Sequence, residues 1–382
     1  MANQDRSRLA GRYRYIVADL RTGQVHAELP LRDVTFSSVL NDAGEFQGQL
    51  MLGDPRIAVH EPEFLTRPAH TALYVERDGV VVWGGIIWTS KYSSASRAIE
   101  IGAAGFLSYF DHRRVLPSDF DPSKGNLADI TVTYTDVDQT EIARSLIATA
   151  QGHPRGDIRI QSDPYATSQI RRTITYPGRE LKSVGDALRE LSNLENGPDF
   201  VFDVIYGGEG RHLVHRLRVG TPELGQQGTP HVWEFGGNLI EYAWPRDGSS
   251  MATRVFALGD ENEEGQQVGI AQDNSTARPL LETEVSLVNM SDVQLLQSHA
   301  RSALAAAVDP VVLPELIVRG DRDPMLGSYS VGDHALIVVR DDFFPFGTQF
   351  RVRIVALEVT PGDDAGEEKV QLTVSPISGG QS

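Results

Sequence analysis

Leu73-Tyr74-Val75-Glu76-Arg77, then Asp78-Gly79, then Val80-Val81-Val82-Trp83, is the stretch on which the fold turns. Two runs rich in β-branched and aromatic residues flank an Asp-Gly pair, which supplies the positive φ angles of a two-residue hairpin turn. A tight β-hairpin is therefore predicted. Downstream, Gly84-Gly85 permits a bulge or bend before Ile86-Ile87-Trp88 resumes the strand, and Ile99 to Ala103 supplies another. Upstream, Arg14 to Leu20 alternates, Arg21-Thr22-Gly23-Gln24 is a turn signal, and Val25 to Leu31 and Val34 to Leu40 continue as strands. Asn41-Asp42-Ala43-Gly44 breaks that run. Residues 1–115 thus read as a β domain, a meander of short antiparallel strands.

Pro117 to Asn126 shifts to Pro, Asp, Ser and Gly and marks a linker. Two helices follow. The first has Asp138 as N-cap with Glu141 three residues on, a stripe of Ile142, Leu146, Ile147 and Ala150, and a stop at Gly152. The second opens near Ser183, spaces Val184, Leu188, Leu191 and Leu194 helically, and stops at Gly197-Pro198. Phe200 to Tyr206 and His212 to Val219 alternate as strands, so residues 116–235 read as an α+β domain with helices on a sheet. Residues 236–382 return to strands: Leu316 to Arg319, Ala335 to Arg340, Phe350 to Val359 and Val370 to Val374. Inserted among them is a helix at 291–308, in which Ser291 and Gln294 match a capping box and Leu295, Leu296, Ala303 and Leu304 form the apolar stripe. The fold class predicted is mainly β with α+β.

The two β domains share a short echo. Ala-Leu-Tyr-Val-Glu-Arg-Asp at 72–78 and Ala-Leu-Ile-Val-Val-Arg-Asp at 335–341 agree at five of seven positions, each run entering a turn. Either the domains are related, or two hairpins share alternation by chance.

Composition narrows the function. The 382 residues exceed the size at which a single core keeps growing, and 36 glycines favour tight turns over long helices. With no cysteine, neither a disulfide framework nor a thiolate metal site is possible, and cytoplasmic synthesis fits. The N-terminus lacks the apolar core of a signal peptide, and no segment approaches the roughly 20 apolar residues of a membrane helix. A net charge of −17 argues against a grip on nucleic acid through its phosphates. The acidity serves solubility, or lines a surface past which DNA slides without sticking.

The arrangements catalysis needs are missing from the sequence. No Gly-x-Ser-x-Gly elbow, phosphate-binding Gly-x-x-x-x-Gly-Lys loop or His-Glu-x-x-His helix occurs. His212 and His215 lie three apart on a strand, on opposite faces, and read as satisfied surface histidines. Asp119, Asp121 and Ser123 resemble the start of a calcium loop, but Lys124 stands where the turn glycine belongs and Ile130 where the bidentate glutamate belongs. No metal and no cofactor is expected. Asp260, Glu261, Glu263 and Glu264 crowd one glycine-bounded loop, which is either a solvated hairpin tip or a contact for a basic partner or a lumen. Among 52 acidic residues, spacing singles out no glycosidase pair.

Three stretches together carry a resemblance: Asn41 to Phe46, Asp78 to Ile87, and Tyr329-Ser330-Val331-Gly332-Asp333. They resemble minor tail proteins of long-tailed phages of actinobacteria, within the wider tail-hub family that includes hubs of contractile tails. The resemblance spans about the first 115 and last 70 residues and rests on turn and strand signals. It implies a homotrimer in which each chain contributes two tube-like antiparallel β-barrel domains, giving a pseudo-sixfold ring at the tail tip. Implied partners are tail-tube and distal tail proteins, the tape-measure protein, and other minor tail proteins or fibres, with DNA passing through without tight binding. The implied place is the virion, and the implied role structural, with no enzymatic activity and no catalytic residues. The rival readings are a receptor- or carbohydrate-binding tail protein, which would need exposed aromatic platforms where Trp83 and Trp88 are expected to be packed, and a cell-wall-degrading tail enzyme.

Overall fold

The computed structural model describes residues 11–55, 61–121, 123, 126–163, 167–208, 212–220, 223–228, 230–262, 265–275, 277–287, 290–308, 314–362 and 368–377. The chain divides into two compact units, one of Met1–Arg189, Pro198–Tyr242 and Glu315–Ser382, the other of Glu190–Gly197 and Ala243–Pro314.

The N-terminal strands are β1 (Tyr13–Asp19), β2 (Val25–Leu29), β3 (Leu31–Val39), β4 (Glu45–Met51), β5 (Thr71–Arg77), β6 (Val80–Ser93) and β7 (Ala98–Gly105), with short helices α1 (Pro62–Leu65) and α2 (Leu107–Asp111). Next come β8 (Thr131–Asp138), α3 (Gln139–Gly152), β9 (Ile160–Ser162), β10 (Arg171–Pro177), α4 (Val184–Ser192), β11 (Asp199–Gly207) and β12 (His212–Gly220). The remainder holds β13 (His231–Glu234), β14 (Leu239–Ala243), β15 (Arg254–Asn262), β16 (Gly265–Gln272), β17 (Glu282–Ser286), α5 (Val293–Ala307), β18 (Glu315–Arg319), β19 (His334–Val339), β20 (Thr348–Thr360) and β21 (Lys369–Pro376). The chain is mainly β, as its sequence predicts.

Among the described residues one sheet holds thirteen strands, in the order β14-β18-β21-β20-β3-β4-β7-β6-β5-β1-β2, with β19 on β20 and β13 on β19. The two halves of this sheet repeat one order: β1-β5-β6-β7-β4-β3 in the first, β13-β19-β20-β21-β18-β14 in the second. The echoed segments fall on β5 and β19, which hold the same place in that order. Each half also has one long strand, β6 or β20, whose register against the next shifts once, at Trp88 or at Val355. The halves differ in sense at one edge, since β1 runs antiparallel to β5 while β13 runs parallel to β19. They join where Ala356 to Val359 of β20 pair with Val39 to Phe36 of β3. Alternation sends Leu73 and Val75 of β5, and Ala335, Ile337 and Val339 of β19, into one shared apolar core.

The predicted hairpin forms with Arg77 opposite Val80 and both turn residues at positive φ, Asp78 at 49° and Gly79 at 86°. Gly84 and Gly85 behave otherwise than predicted. They pair in register with Tyr74 and Leu73, and the bulges fall at Val82 and Trp88 instead. The two glycines serve close approach: a Cβ on Gly84 would lie 2.5 Å from Cγ2 of Val204, and one on Gly85 would lie 2.2 Å from the Ala104 carbonyl oxygen.

Asp138 caps α3 by accepting the Thr140 N–H at 2.9 Å, and Ser183 accepts the Asp186 N–H at 2.9 Å at the start of α4. α4 ends at Ser192, short of the predicted Gly197-Pro198 stop. β11 pairs with β12 and β12 with β9, making a three-stranded sheet whose β11 also packs on β6.

In the second unit, β16-β15-β17 form a sheet on which α5 lays Leu296 and Ala300 against Ala257 and Ala271. Asp292, not Ser291, caps α5, accepting the N–H groups of Gln294 and Leu295 at 2.8 and 3.4 Å. An adjacent carboxylate, favoured at the positive end of the helix dipole, takes the place of the hydroxyl. The buried stripe is Leu296 and Ala300 with Leu304 packed beside them, while Leu295 and Ala303 stay half-buried.

Candidate functional site

The acidic loop lies at the tip of the β15–β16 hairpin, where Glu261 pairs with Gln266. Asp260 is half-buried and donates its backbone N–H to the Met290 carbonyl at 2.7 Å; Glu261 is exposed. Glu263 and Glu264 lie outside the described residues. Asp121 spends its carboxylate on a local turn, accepting the N–H and hydroxyl of Ser123 at 2.9 and 2.6 Å. Among the described residues no group of three or more His, Asp or Glu side chains is placed to hold a metal.

His212 is exposed, but His215 is fully buried, contrary to the surface position expected from sequence. Its Nε2 lies 2.7 Å from the Tyr74 hydroxyl and its Nδ1 3.0 Å from the Ile158 carbonyl oxygen, with its ring stacked on Phe106 at 4.1 Å. The carbonyl only accepts, so Nδ1 carries the proton and Nε2 accepts from tyrosine. Burial pushes this histidine down to about 4, so it stays neutral near pH 7. It is a strut between β12 and β5, with no open side for a substrate.

The three stretches that carried the resemblance converge in the first unit on one cleft of about 310 Å³. Asp42 to Gly44 form one wall, Val80 to Gly84 a second, Leu326 to Val331 with Asp333 a third, and Val201 to Ile205 of β11 the floor. Each wall needs its turn residues. Asn41 sits at φ 62°, and its side-chain oxygen accepts the Phe200 N–H at 2.7 Å. Gly44 lies so close to β3 that a Cβ would fall 1.8 Å from the Ser37 carbonyl oxygen. Gly332 sits at φ 95°, and Asp333 ties the third wall by accepting the N–H groups of Ser330 and Gln226 at 2.9 and 2.7 Å.

Charge in the cleft is uneven. Asp203 is held by both forks of Arg216 at 2.8 and 2.7 Å, and Arg218 reaches the same carboxylate at 3.5 Å. Asp203 is thus fixed by two guanidiniums, and Arg216 also feels the charge of Asp163. The cleft therefore combines apolar surface with the carboxylates of Asp42, Asp203 and Asp333 and the single guanidinium of Arg218.

Behind the cleft a buried ion pair clamps the two halves of the sheet. Arg77 donates from Nε to the Glu368 carboxylate at 2.9 Å and from its other nitrogens to the carbonyls of Leu326 and Gly320 at 3.3 and 3.2 Å. Tyr13 adds its hydroxyl at 2.8 Å. Burial alone would lower the Arg77 pKa, but the Glu368 hydrogen bond and charge outweigh it and the net shift is upward. Burial, then the Glu368 charge, push the Tyr13 phenol up as well, so it remains a donor.

No known family profile and no curated protein matches the sequence. Solved structures do. A 43 kDa tail protein of prophage MuSo2 from Shewanella oneidensis aligns with a TM-score of 0.60 at 12% identity, over 96% of this chain and 98% of that one. A tail protein from Neisseria meningitidis aligns with a TM-score of 0.59 at 15% identity, over 96% and 97%. Prophage tail protein gp18 from Listeria monocytogenes gives 0.53 at 14% identity, over 96% and 95%. The fold is that of these phage tail proteins. Coverage near full length on both sides means that both halves of the sheet and the elements between them take part in the match.

The sequence had named the cleft's walls without joining them. It missed the Arg77–Glu368 clamp because the partners stand 291 residues apart. The available sign was an arginine at the end of a largely apolar strand.

Proposed function

We propose that this protein is a structural component of a phage tail, forming the hub ring at the tail tip that joins the tail tube to the proteins contacting the host. One observation carries the reading: the chain repeats a single strand order twice within one sheet. Three such chains present six similar edges, matching a sixfold tube, and the fold shared with tail proteins supports the same assignment. The two tube-like domains are residues 1–115 and 236–382, the latter carrying the inserted helix, with 116–235 between them, of which β13 at His231–Glu234 joins the second repeat by pairing with β19. The protein is a homotrimer of the virion and not an enzyme; tail-tube, tape-measure and other minor tail proteins are its partners, and the phages are long-tailed phages of actinobacteria. The acidic hairpin at Asp260, Glu261, Glu263 and Glu264 lines the lumen or meets a basic neighbour. A charge of −17 per chain keeps transiting DNA from sticking and makes association strengthen as salt screens the repulsion.

The test is an image of the assembled tail. Three copies at the tip around an acidic lumen are expected; two or six copies, or a lumen lined by lysine and arginine, reject the hub assignment. Release of muropeptides or reducing sugars by the purified protein, abolished by a single carboxylate change, would reject the structural role.

A further inference from the structure

In the second unit the sheet β16-β15-β17 leaves its two edges in opposite states. At the β16 edge the backbone of Ile270 points away from β15, and Gln297 of α5 meets both of its polar groups. Gln297 donates from Nε2 to the Ile270 carbonyl at 2.6 Å and accepts the Ile270 N–H on Oε1 at 3.3 Å. A side-chain amide thus stands where a further strand would pair, which closes that edge.

The β17 edge is open. Among the described residues β17 pairs with β15 alone. The register fixes which backbone groups this pairing uses: Arg254 donates its N–H to the Leu281 carbonyl at 3.0 Å, and Leu287 donates to the Leu258 carbonyl at 2.8 Å. Residues 281, 283, 285 and 287 therefore turn their N–H and C=O groups to β15, and Glu282, Glu284 and Ser286 turn theirs outward. All three outward residues are exposed.

The side chains along this edge set the chemistry of a strand that pairs there. Glu282 and Glu284 lie opposite Arg254 and Phe256 in the ladder and share their face of the sheet. β17 carries these two carboxylates and no cation, and the Arg254 guanidinium on the next strand is taken by Glu282 at 2.6 Å and Gln272 at 3.0 Å. On the other face Thr283 and Val285 lie opposite Val255 and Ala257, the side on which α5 packs. A second copy of the chain is a poor occupant, because β17 paired with itself in full register about a twofold axis sets Glu284 against Glu284. We infer that the β17 edge accepts an extended strand of another protein in which lysine or arginine alternates with apolar residues. Its backbone bonds to Glu282, Glu284 and Ser286, its basic side chains meet the two carboxylates, and its apolar ones extend the helix-side face past Val285. The contact does not depend on the hub assignment.

The probe is the capped peptide Lys-Val-Lys-Val-Lys-Val-Lys, with one control that has glutamate for lysine and another N-methylated on every residue. Titrated into the full chain, the lysine peptide should bind at least about tenfold more tightly than either control. Amide exchange at Glu284 and Ser286 should slow at least about tenfold on binding, while that at Ile270, already bonded to Gln297, stays the same. Glu284→Lys, at an exposed position, should weaken the lysine peptide by at least about tenfold and strengthen the glutamate peptide. Ser286→Pro removes an outward N–H and spares the β15 ladder, so affinity should fall at least about fivefold with circular dichroism unchanged. Equal affinity for the lysine peptide and either control, no binding at about 1 mM, or slowed exchange at Ile270 as much as at Glu284 overturns the proposal. Exchange at Glu284 and Ser286 already slow in the free chain, or self-association that the lysine peptide competes away, puts this chain itself on the edge and likewise overturns it.

Discussion

β5 and β19 hold the same place in their halves of the sheet and share five of seven residues over 72–78 and 335–341, yet they are treated oppositely. Every residue of β5 is buried, whereas β19 alternates between half-buried and buried. The cause is what lies outside. On β5, Leu73 and Val75 face the shared core, while Tyr74 and Glu76 on the other face are met by His215 of β12 and the Tyr206 hydroxyl of β11. The arginines that follow diverge in the same way: Arg77 is buried against Glu368 and Arg340 is exposed. So do the turns, a two-residue Asp78-Gly79 against the longer, aromatic residues 340–347. Strand order is the stable property of the repeat, and burial of its outer face follows from whatever the rest of the chain lays upon it.

The sharpest way to break the comparison is to remove the matched arginines in turn. Arg77→Ala strands the fully buried Glu368 carboxylate and is expected to cost about 3–5 kcal/mol in denaturant unfolding, while Arg340→Ala changes little. Joint replacement of Arg77 and Glu368 by Met and Leu should recover most of the loss. Equal effects at 77 and 340 would mean that the clamp is misdrawn.

His215 tests the cover on β5 through pH. Its folded pKa of about 4 lies below the unfolded 6.5, so its contribution is fully present above about 6.5 and is lost as pH falls through 4. The shift corresponds to about 3 kcal/mol, and His215→Phe should flatten the stability profile between those pH values. An unchanged slope would show that another group governs the acid limb.

Gly79→Val forces a β-branched residue to φ 86° and should cost about 1–3 kcal/mol, moving the thermal midpoint down. At the equivalent turn of the other half, Phe346→Ser should leave the midpoint within about 0.5 kcal/mol of the parent, because that side chain is 97% exposed. A loss at Phe346 comparable to that at Gly79 would make the side chain of Phe346 part of the fold.

Local rules reached far. The Asp78-Gly79 turn, the N-cap at Asp138 and the strand limits around β5, β11 and β12 follow from turn chemistry and alternation over a few residues. Where two local rules compete the outcome is set by packing, as at Gly84-Gly85, where Val204 and Ala104 decide for close approach over a bulge, and at α5, where Asp292 displaces Ser291. His215 was misplaced because nothing in β12 alone reveals that Phe106 and Tyr74 will cover it. The cleft was legible as three separate turn signals, and only long-range pairing brought them to one place.

The seam between β20 and β3 has a consequence for synthesis. Val39 and its neighbours emerge from the ribosome early, but their partners around Ala356 follow roughly 300 residues later. At about 5–20 residues per second this leaves one side of β3 without its partner for roughly 15–60 s. Throughout that interval the nascent chain carries an open strand edge that any extended polypeptide can template upon, so crowded polysomes making this protein are where misassembly would start. A stretch translated about 300 residues later is the one that seals β3.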